Sequence, residues 1–282
     1  MTKGNKDAVG YLGPRGTYSE DVCSNFFHED QWDLKPYFTI DACIRATAHR
    51  EITECIVPIE NSLEGSINIT LDTLAHEVNL SIVKEIVWPI RHHLLTKSPT
   101  TDIQTIISHP QALAQCRHYF ATHYPHAQIK AVESTAEAAR IVASGAKDHA
   151  AIANLNASKI YDLTIMASDI QDHSNNCTRF VILRHQPPLY VDGYWKTSIV
   201  CKIKGDQPGS LFQLLQDLAS NNVNLVRIES RPARTELGEY IFFMDMEGSI
   251  AEPHVLTALT ALQNKSLWFK NLGSYIVCKN NV

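Results

Sequence analysis

This 282-residue chain lacks what several functional classes require. No apolar run reaches the roughly 20 residues of a membrane-spanning helix. The N-terminal stretch Met1-Thr2-Lys3-Gly4-Asn5-Lys6 has no signal-peptide core. A formal net charge of -5 offers no basic footprint for nucleic acid. The seven cysteines are dispersed, odd in number and never spaced C-x-x-C, which fits free thiols in a reducing compartment. Thirteen histidines include no H-E-x-x-H, and adjacent His92 and His93 on a strand would face opposite ways, unable to share an ion. The turn Gly13-Pro14-Arg15-Gly16 is not G-x-G-x-x-G, which argues against a dinucleotide site. These absences lead us to expect a cytoplasmic protein with no cofactor, metal, membrane or nucleic-acid partner.

What is present is ordinary globular material, with 44% hydrophobic and 20% charged residues, long enough for two or three folding units. Strand and helix patterns alternate from Val9 onward. Val9–Gly13 reads as a strand and Tyr18–Phe27 as a helix, with Thr17 or Ser19 at its N-cap. Glu54–Ile59 is a strand, Ile67–His76 a helix, and Leu80–Leu95 one long strand broken only weakly by Pro89. Then come strands at Thr105–Ile107, Ile129–Val132, Ala150–Ala153 and Phe180–Leu183. Helices lie between them at Pro110–Tyr119, at Thr135–Ser144 and near Ala157. Regular alternation predicts an α/β fold with mostly parallel sheets and ligands at the strands' carboxyl ends. Beyond Pro187-Pro188 the order becomes β-α-β-β-α-β, from Trp195 to Val277, which is a ferredoxin-like α+β unit.

The polar clusters follow predicted strands. Val57-Pro58-Ile59 delivers Glu60, Asn61 and Ser62 to a strand end, Gly65 permits a tight turn, and the next helix can offer N–H groups to an anion. The plain alternative is that Ser62 or Ser66 caps that helix. Gly13–Gly16 with Thr17, Ser108-His109-Pro110-Gln111, Ser134-Thr135 and Asn154 occupy equivalent positions. His109 before a proline at a helix start reads as structural. In Asn176-Cys177-Thr178-Arg179-Phe180, a cation and a hydroxyl precede an apolar strand. Arg179 at a strand mouth suits either a carboxylate substrate or an internal Asp or Glu, and Thr178 adds a donor beside it.

These stretches together resemble prephenate dehydratase. The resemblance is carried by Gly13-Pro14-x-Gly16-Thr17, Pro58-x-Glu60-Asn61-Ser62-x-x-Gly65, Ser108-His109-Pro110-Gln111-Ala112-Leu113-x-Gln115-Cys116 and Asn176-x-Thr178-Arg179-Phe180. The C-terminal part resembles an ACT regulatory domain through Pro208-Gly209-Ser210-Leu211 and Glu229-Ser230-Arg231-Pro232. The resemblance implies a bilobal catalytic region over residues 7–186, similar to type II periplasmic binding proteins. Its lobes would be roughly 7–85 plus 178–186, and 86–177, with the active cleft between them. An ACT domain would follow over 195–282. It implies a hydro-lyase that turns prephenate into phenylpyruvate with loss of water and carbon dioxide, feedback by L-phenylalanine, and a homodimer or homotetramer formed through the ACT domains.

No helical segment of the kind seen in chorismate mutase precedes Ala8, so the expectation is a monofunctional enzyme. Thr178 would donate to the leaving hydroxyl. Arg179, with Asn61, Ser62 or Ser134-Thr135, would hold the carboxylate that stays, and Phe180 would leave the departing one poorly solvated. Glu60, Gly65, Thr17 and Asn154 complete the expected substrate site. Gly209, Ser210, Leu211, Glu229, Ser230, Arg231 and Pro232 form the expected effector site, with Arg231 in a structural ion pair. Ser210 stands where the family's motif has Ala. Arogenate dehydration and a non-catalytic carboxylate sensor are the competing readings; an acidic group such as Glu60 or Glu64 keeps the first of them open.

Overall fold

The structure, a computed structural model, describes residues 6–145, 147–204 and 208–279. The reading of Met1–Asn5 and the last three positions of the expected 195–282 domain lie outside the described residues. Contacts divide the chain into two compact units: the chain up to Asn68 with Val87–Phe180, and Ile69–Ile86 with the chain from Val181 onward. This division falls within secondary-structure elements, whereas composition had suggested the proline pair at 187–188.

In chain order the first unit opens with β1 (Asp7–Leu12), α1 (Tyr18–Phe26), β2 (Trp32–Tyr37), α2 (Ile40–Ala48), β3 (Glu54–Asn61) and the short β4 (Gly65–Ser66). Next come α3 (Asn68–His76) and β5 (Ser81–Pro89), assigned mostly to the second unit. The first unit resumes with β6 (His93–Thr96), β7 (Thr105–Ser108), α4 (Pro110–Gln115), α5 (Arg117–His123) and β8 (Gln128–Ala131). It continues through α6 (Thr135–Ser144), β9 (His149–Ala153), α7 (Leu155–Ile160), β10 (Thr164–Ala167) and the start of β11 (Cys177–Arg184).

Two sheets build this unit. In one, β1 pairs in parallel with β2 and β3, β4 folds back antiparallel on β3, and β11 follows β3. The other runs β10-β6-β9-β7-β8; β7 is parallel to β8 and β9, while β6 is antiparallel to β9 and β10. Alternation divides the core across this second sheet. Ile106, Ala150 and Ile152 pack with Leu94 in one cluster, and Ile107, Ala151 and Ala153 with Leu95 in another. Thr17, Thr39, Ser134 and Asn154 each accept the N–H three residues on, which fixes the starts of α1, α2, α6 and α7.

The stretch expected as a single strand from Leu80 to Leu95 is split after Pro89, which has no N–H to donate to a ladder, and β5 and β6 enter different sheets. The predicted helix from Pro110 to Tyr119 is likewise two helices, broken at Cys116. The sequence pattern shows no sign of β2, α2, β4 or β10. β2 carries Pro36 and is tolerated because it ends its sheet.

The second unit continues with β12 (Trp195–Ile203), α8 (Ser210–Ser220), β13 (Leu225–Pro232), β14 (Tyr240–Glu247), α9 (Pro253–Lys265) and β15 (Ser266–Lys279). The β-α-β-β-α-β order is the expected one. The strand order β13-β14-β12-β15 is antiparallel throughout, and β5 follows β15. Ile199, Cys201, Met244 and Met246 pack against Leu214, Leu218, Leu259 and Leu262 of the two helices. Within this unit Arg231 donates two hydrogen bonds to Asp72 of α3, at 2.8 and 2.9 Å. Lys270 reaches the Leu74 carbonyl near the end of that helix at 2.6 Å.

β15 and β5 approach closely at Gly273, whose φ of +122° suits no other residue. A Cβ there would lie 2.6 Å from the Ile82 carbonyl oxygen, and its nearest neighbours are all Ile82 backbone, with no flexible side chain to yield. Gly273→Ala is therefore expected to destabilise the protein by about 2 kcal/mol or more, read as a lower urea midpoint.

Candidate active-site cleft

The first unit holds a cleft of about 290 Å³, lined by strands of its first sheet and by segments that flank strands of its second. Its apolar wall includes Leu12, Ile40, Pro58, Ile67, Ile90 and Phe180. Into this wall project Thr178 and Asn61, neighbours on β11 and β3 and both buried. The N-termini of α1 and α6 supply Thr17, Ser134 and Thr135 to the lining. Among the described lining residues there is no Lys or Arg; Glu133, His92 and His109 are the groups that can carry charge there.

Asn61 is held first by backbone. Its Oδ1 accepts the N–H groups of Leu63 and Glu64 at 3.0 and 3.1 Å, so its amide nitrogen must point the other way. That nitrogen donates to Thr178 Oγ1 and to Asn176 Oδ1, each at 2.9 Å. Asn176 Nδ2 donates to Gln115 Oε1 at 2.9 Å. His92 Nε2 lies 2.9 Å from the same oxygen, and the Tyr18 hydroxyl lies 2.9 Å from His92 Nδ1. Gln115 Nε2 donates to Glu64 at 3.4 Å, closing the chain on the loop that began it. Because Thr178 Oγ1 accepts from Asn61, its own proton is available for donation into the cleft.

The expected site residues divide between this cleft and other places. Thr178, Phe180, Asn61, Thr17, Ser134 and Thr135 line it. Arg179, expected on the substrate's carboxylate at a strand mouth, sits within β11 and is not among the lining residues. Alternation turns it to the face opposite Thr178 and Phe180, where its guanidinium meets Glu60, likewise one step out of phase on β3, at 3.1 Å. The internal-pair alternative left open by the sequence is the contact observed. Ser62 accepts the Cys177 N–H at 3.0 Å, and Gly65 forms the turn into β4 with φ +84°. Asn154 caps α7. None of these three lines the cleft.

The glycine-rich turn is not an open anion cradle. Buried Glu20 accepts the Gly16 N–H at 2.5 Å and also takes hydrogen bonds from Arg15 and Tyr11, so the loop encloses a carboxylate of its own. Four network members escaped sequence reasoning as site residues. Gln115 and Asn176 stood inside quoted motifs without a role, and Tyr18 and His92 carried no local signal beyond their residue type.

In the second unit, Gly209, Ser210 and Leu211 share a cavity of about 390 Å³ with Tyr240, Phe242 and the Lys202–Glu239 ion pair. Gly209 has φ +89° at the N-cap of α8. Glu229, Ser230, Arg231 and Pro232 lie on β13 and are not in that cavity's lining. Arg231 makes the expected ion pair, with Asp72 as its partner.

The family model described as prephenate dehydratase matches residues 9–188, which is most of the chain. The chain belongs to the prephenate dehydratase family. An ACT domain model matches residues 197–264. A prephenate dehydratase of Methanocaldococcus jannaschii is 39% identical over 277 residues, covering 96% of this chain and 98% of that one. A crystal structure of prephenate dehydratase in complex with L-Phe from Arthrobacter aurescens is similar with TM-score 0.88 and 32% identity, covering 95% of this chain and 90% of that one. A protein described as a novel type of quorum quenching acylase shares the fold with TM-score 0.84 and 28% identity, over 96% and 98% of the two chains. Among the described residues, no helix is long and apolar enough to cross a membrane.

Burial lowers the His92 pKa below its ordinary value of 6.5; the hydrogen bond to the Gln115 oxygen only partly opposes this. Its folded form therefore binds a proton less readily than the unfolded chain. Stability is complete above about pH 6.5 and is lost as the pH falls below it. The same burial lowers His93 and His76. Urea midpoints are expected to drop between about pH 7.5 and about pH 5.5, and His92→Gln to make the drop smaller. An unchanged slope in that variant would remove His92 from the acid response.

Proposed function

We propose that this chain converts prephenate to phenylpyruvate, and that the buried Thr178 hydroxyl, aimed by Asn61 into an apolar cleft, carries the reaction. Prephenate is a dianion. As its ring C–C bond to carbon dioxide breaks, that electron pair enters the ring and expels the hydroxyl from the opposite carbon. The hydroxide needs one proton to leave as water, and the product is a monoanion. An alcohol is a weak acid, so Thr178 acts as a hydrogen-bond donor to the leaving oxygen and relays solvent's proton.

The wall around Phe180 supports the second requirement. A departing carboxylate gains from being poorly solvated, because gripping it would stabilise the ground state over the transition state. The absence of Lys and Arg from the described lining fits that need. The remaining carboxylate is assigned to the N-terminus of α6, where Ser134 and Thr135 line the cleft and the helix dipole favours an anion. Arg179 then serves indirectly: with Glu60 it braces β11 against β3 beneath Thr178 and Asn61.

Residues 7–186 are assigned to catalysis and 195–282 to regulation by L-phenylalanine, with Gly209–Leu211 opening the effector site. The L-Phe complex of the Arthrobacter aurescens protein supports that assignment. β13 ends its sheet and exposes Val226 and Ile228, which supports association through a second copy. The proposed setting is the cytoplasm.

The decisive assay follows phenylpyruvate absorbance after adding prephenate, with arogenate as a parallel substrate and with L-phenylalanine added or omitted. Turnover of prephenate is expected, and L-phenylalanine is expected to reduce it. Thr178→Ala should lower turnover by about a hundredfold, the scale of one positioned proton-transfer group. Near-normal turnover in that variant would exclude Thr178 from the reaction.

A further inference from the structure

From Asn61 to His92 the amide chain behind Thr178 runs in one consistent direction, and that direction reaches a histidine no motif pointed to. It starts from a fixed end. Leu63 and Glu64 are backbone donors, so Asn61 Oδ1 must accept and Asn61 Nδ2 must donate. Asn176 must then present its oxygen to Asn61, which sends its own Nδ2 toward Gln115. Gln115 must answer with Oε1, which turns its Nε2 toward the Glu64 carboxylate, an obligate acceptor when ionised. The oxygen of Gln115 thus faces His92 Nε2 at 2.9 Å, and two acceptors cannot share that distance.

We propose that His92 is a positioning residue whose Nε2 carries its proton and donates it to Gln115 Oε1, locking the Gln115–Asn176–Asn61 amides in the one orientation that leaves the Thr178 proton for the cleft. At the other end the Tyr18 hydroxyl donates to the Arg91 carbonyl at 2.5 Å and lies 2.9 Å from Nδ1, so with the proton on Nε2 of a neutral ring the bare Nδ1 shares that one hydroxyl proton with the carbonyl. Were the proton on Nδ1, Nε2 would ask Gln115 for an N–H. Gln115 would flip, lose Glu64, and place its amide hydrogens against those of Asn176. Asn176 cannot flip in turn, because Asn61 is held by backbone. The backbone of the β3–β4 turn thus dictates the tautomer of a histidine three side chains away.

This inference rests on the dehydratase reading for its kinetic consequence, although the tautomer can be read without it. Nitrogen-15 NMR of the intact, ¹⁵N-histidine-labelled protein at neutral pH, with His92 assigned by its absence from His92→Gln, should show a protonated Nε2 and a bare Nδ1. A bare Nε2 would overturn the proposal outright. In the kinetic arm, His92→Leu removes the donor and should lower kcat at least about tenfold, through loss of alignment at Thr178, with KM changed by no more than about twofold. His92→Gln, whose amide can reach the Nε2 position, should recover most of that loss. A folded His92→Leu protein with unaltered kcat, or a His92→Gln protein as impaired as it, refutes the positioning role. Should His92→Leu not fold, Gln115→Leu takes its place. It removes the oxygen facing Nε2, and a detectable Nδ1–H population with reduced kcat is the supporting result; unaltered tautomer and kcat refute the lock. If the unsubstituted protein turns over no prephenate, the dehydratase reading fails, while the NMR result still decides which nitrogen holds the proton.

Discussion

The cleft depends on the grip of two backbone N–H groups on the side-chain oxygen of Asn61. Every polar group behind Thr178 takes its orientation from that contact, because amides and hydroxyls can adopt either sense until one member is pinned to backbone. The β3–β4 turn supplies the pin: Gly65 at positive φ reverses the chain so that Leu63 and Glu64 point their N–H groups inward. A buried polar network is costly when half satisfied. This one is satisfied along its length, through side chains drawn from β3, α4, β11 and the segments before them.

Strand alternation performs the second division of labour. Positions 61 and 178 face the cleft, whereas 60 and 179 face away and neutralise each other. A single register decision therefore separates uncharged Asn61 and Thr178, facing the cleft, from a charged pair directly behind them. Charge close to the reacting groups without charge in contact with them suits a reaction in which one carboxylate must be kept and the other released.

Much of this was legible in the chain. The helices of the second unit and a cap at Thr17 or Ser19 follow from local pattern, and the motif around Asn61 and Thr178 identifies the family without any coordinates. The failures share a physical origin. Arg179 reads as a substrate clamp because a cation beside a hydroxyl invites an anion, and nothing local says that its phase opposes that of Thr178 until the strand is seen to begin at Cys177. β2 is masked by Pro36, which only an edge position excuses. His92 carries no local sign of its role. Its partners, Tyr18 and Gln115, are 74 and 23 residues away, a separation that periodicity does not register. The Gly13–Gly16 turn offered an anion cradle, and only the fold reveals that Glu20 already fills it.

A cleft walled by helix dipoles and hydroxyls, in a chain of net charge -5, exerts no long-range pull on a negatively charged solute. The attraction of a helix end fades within its first turn, so it acts on an anion already seated and is absent during approach. Encounter is then governed by diffusion and shape against a like-charge repulsion, and capture rates should rise with ionic strength as salt screens it. The same economy works in reverse: a product that sheds one negative charge departs from a cleft whose described lining holds no Lys or Arg to detain it.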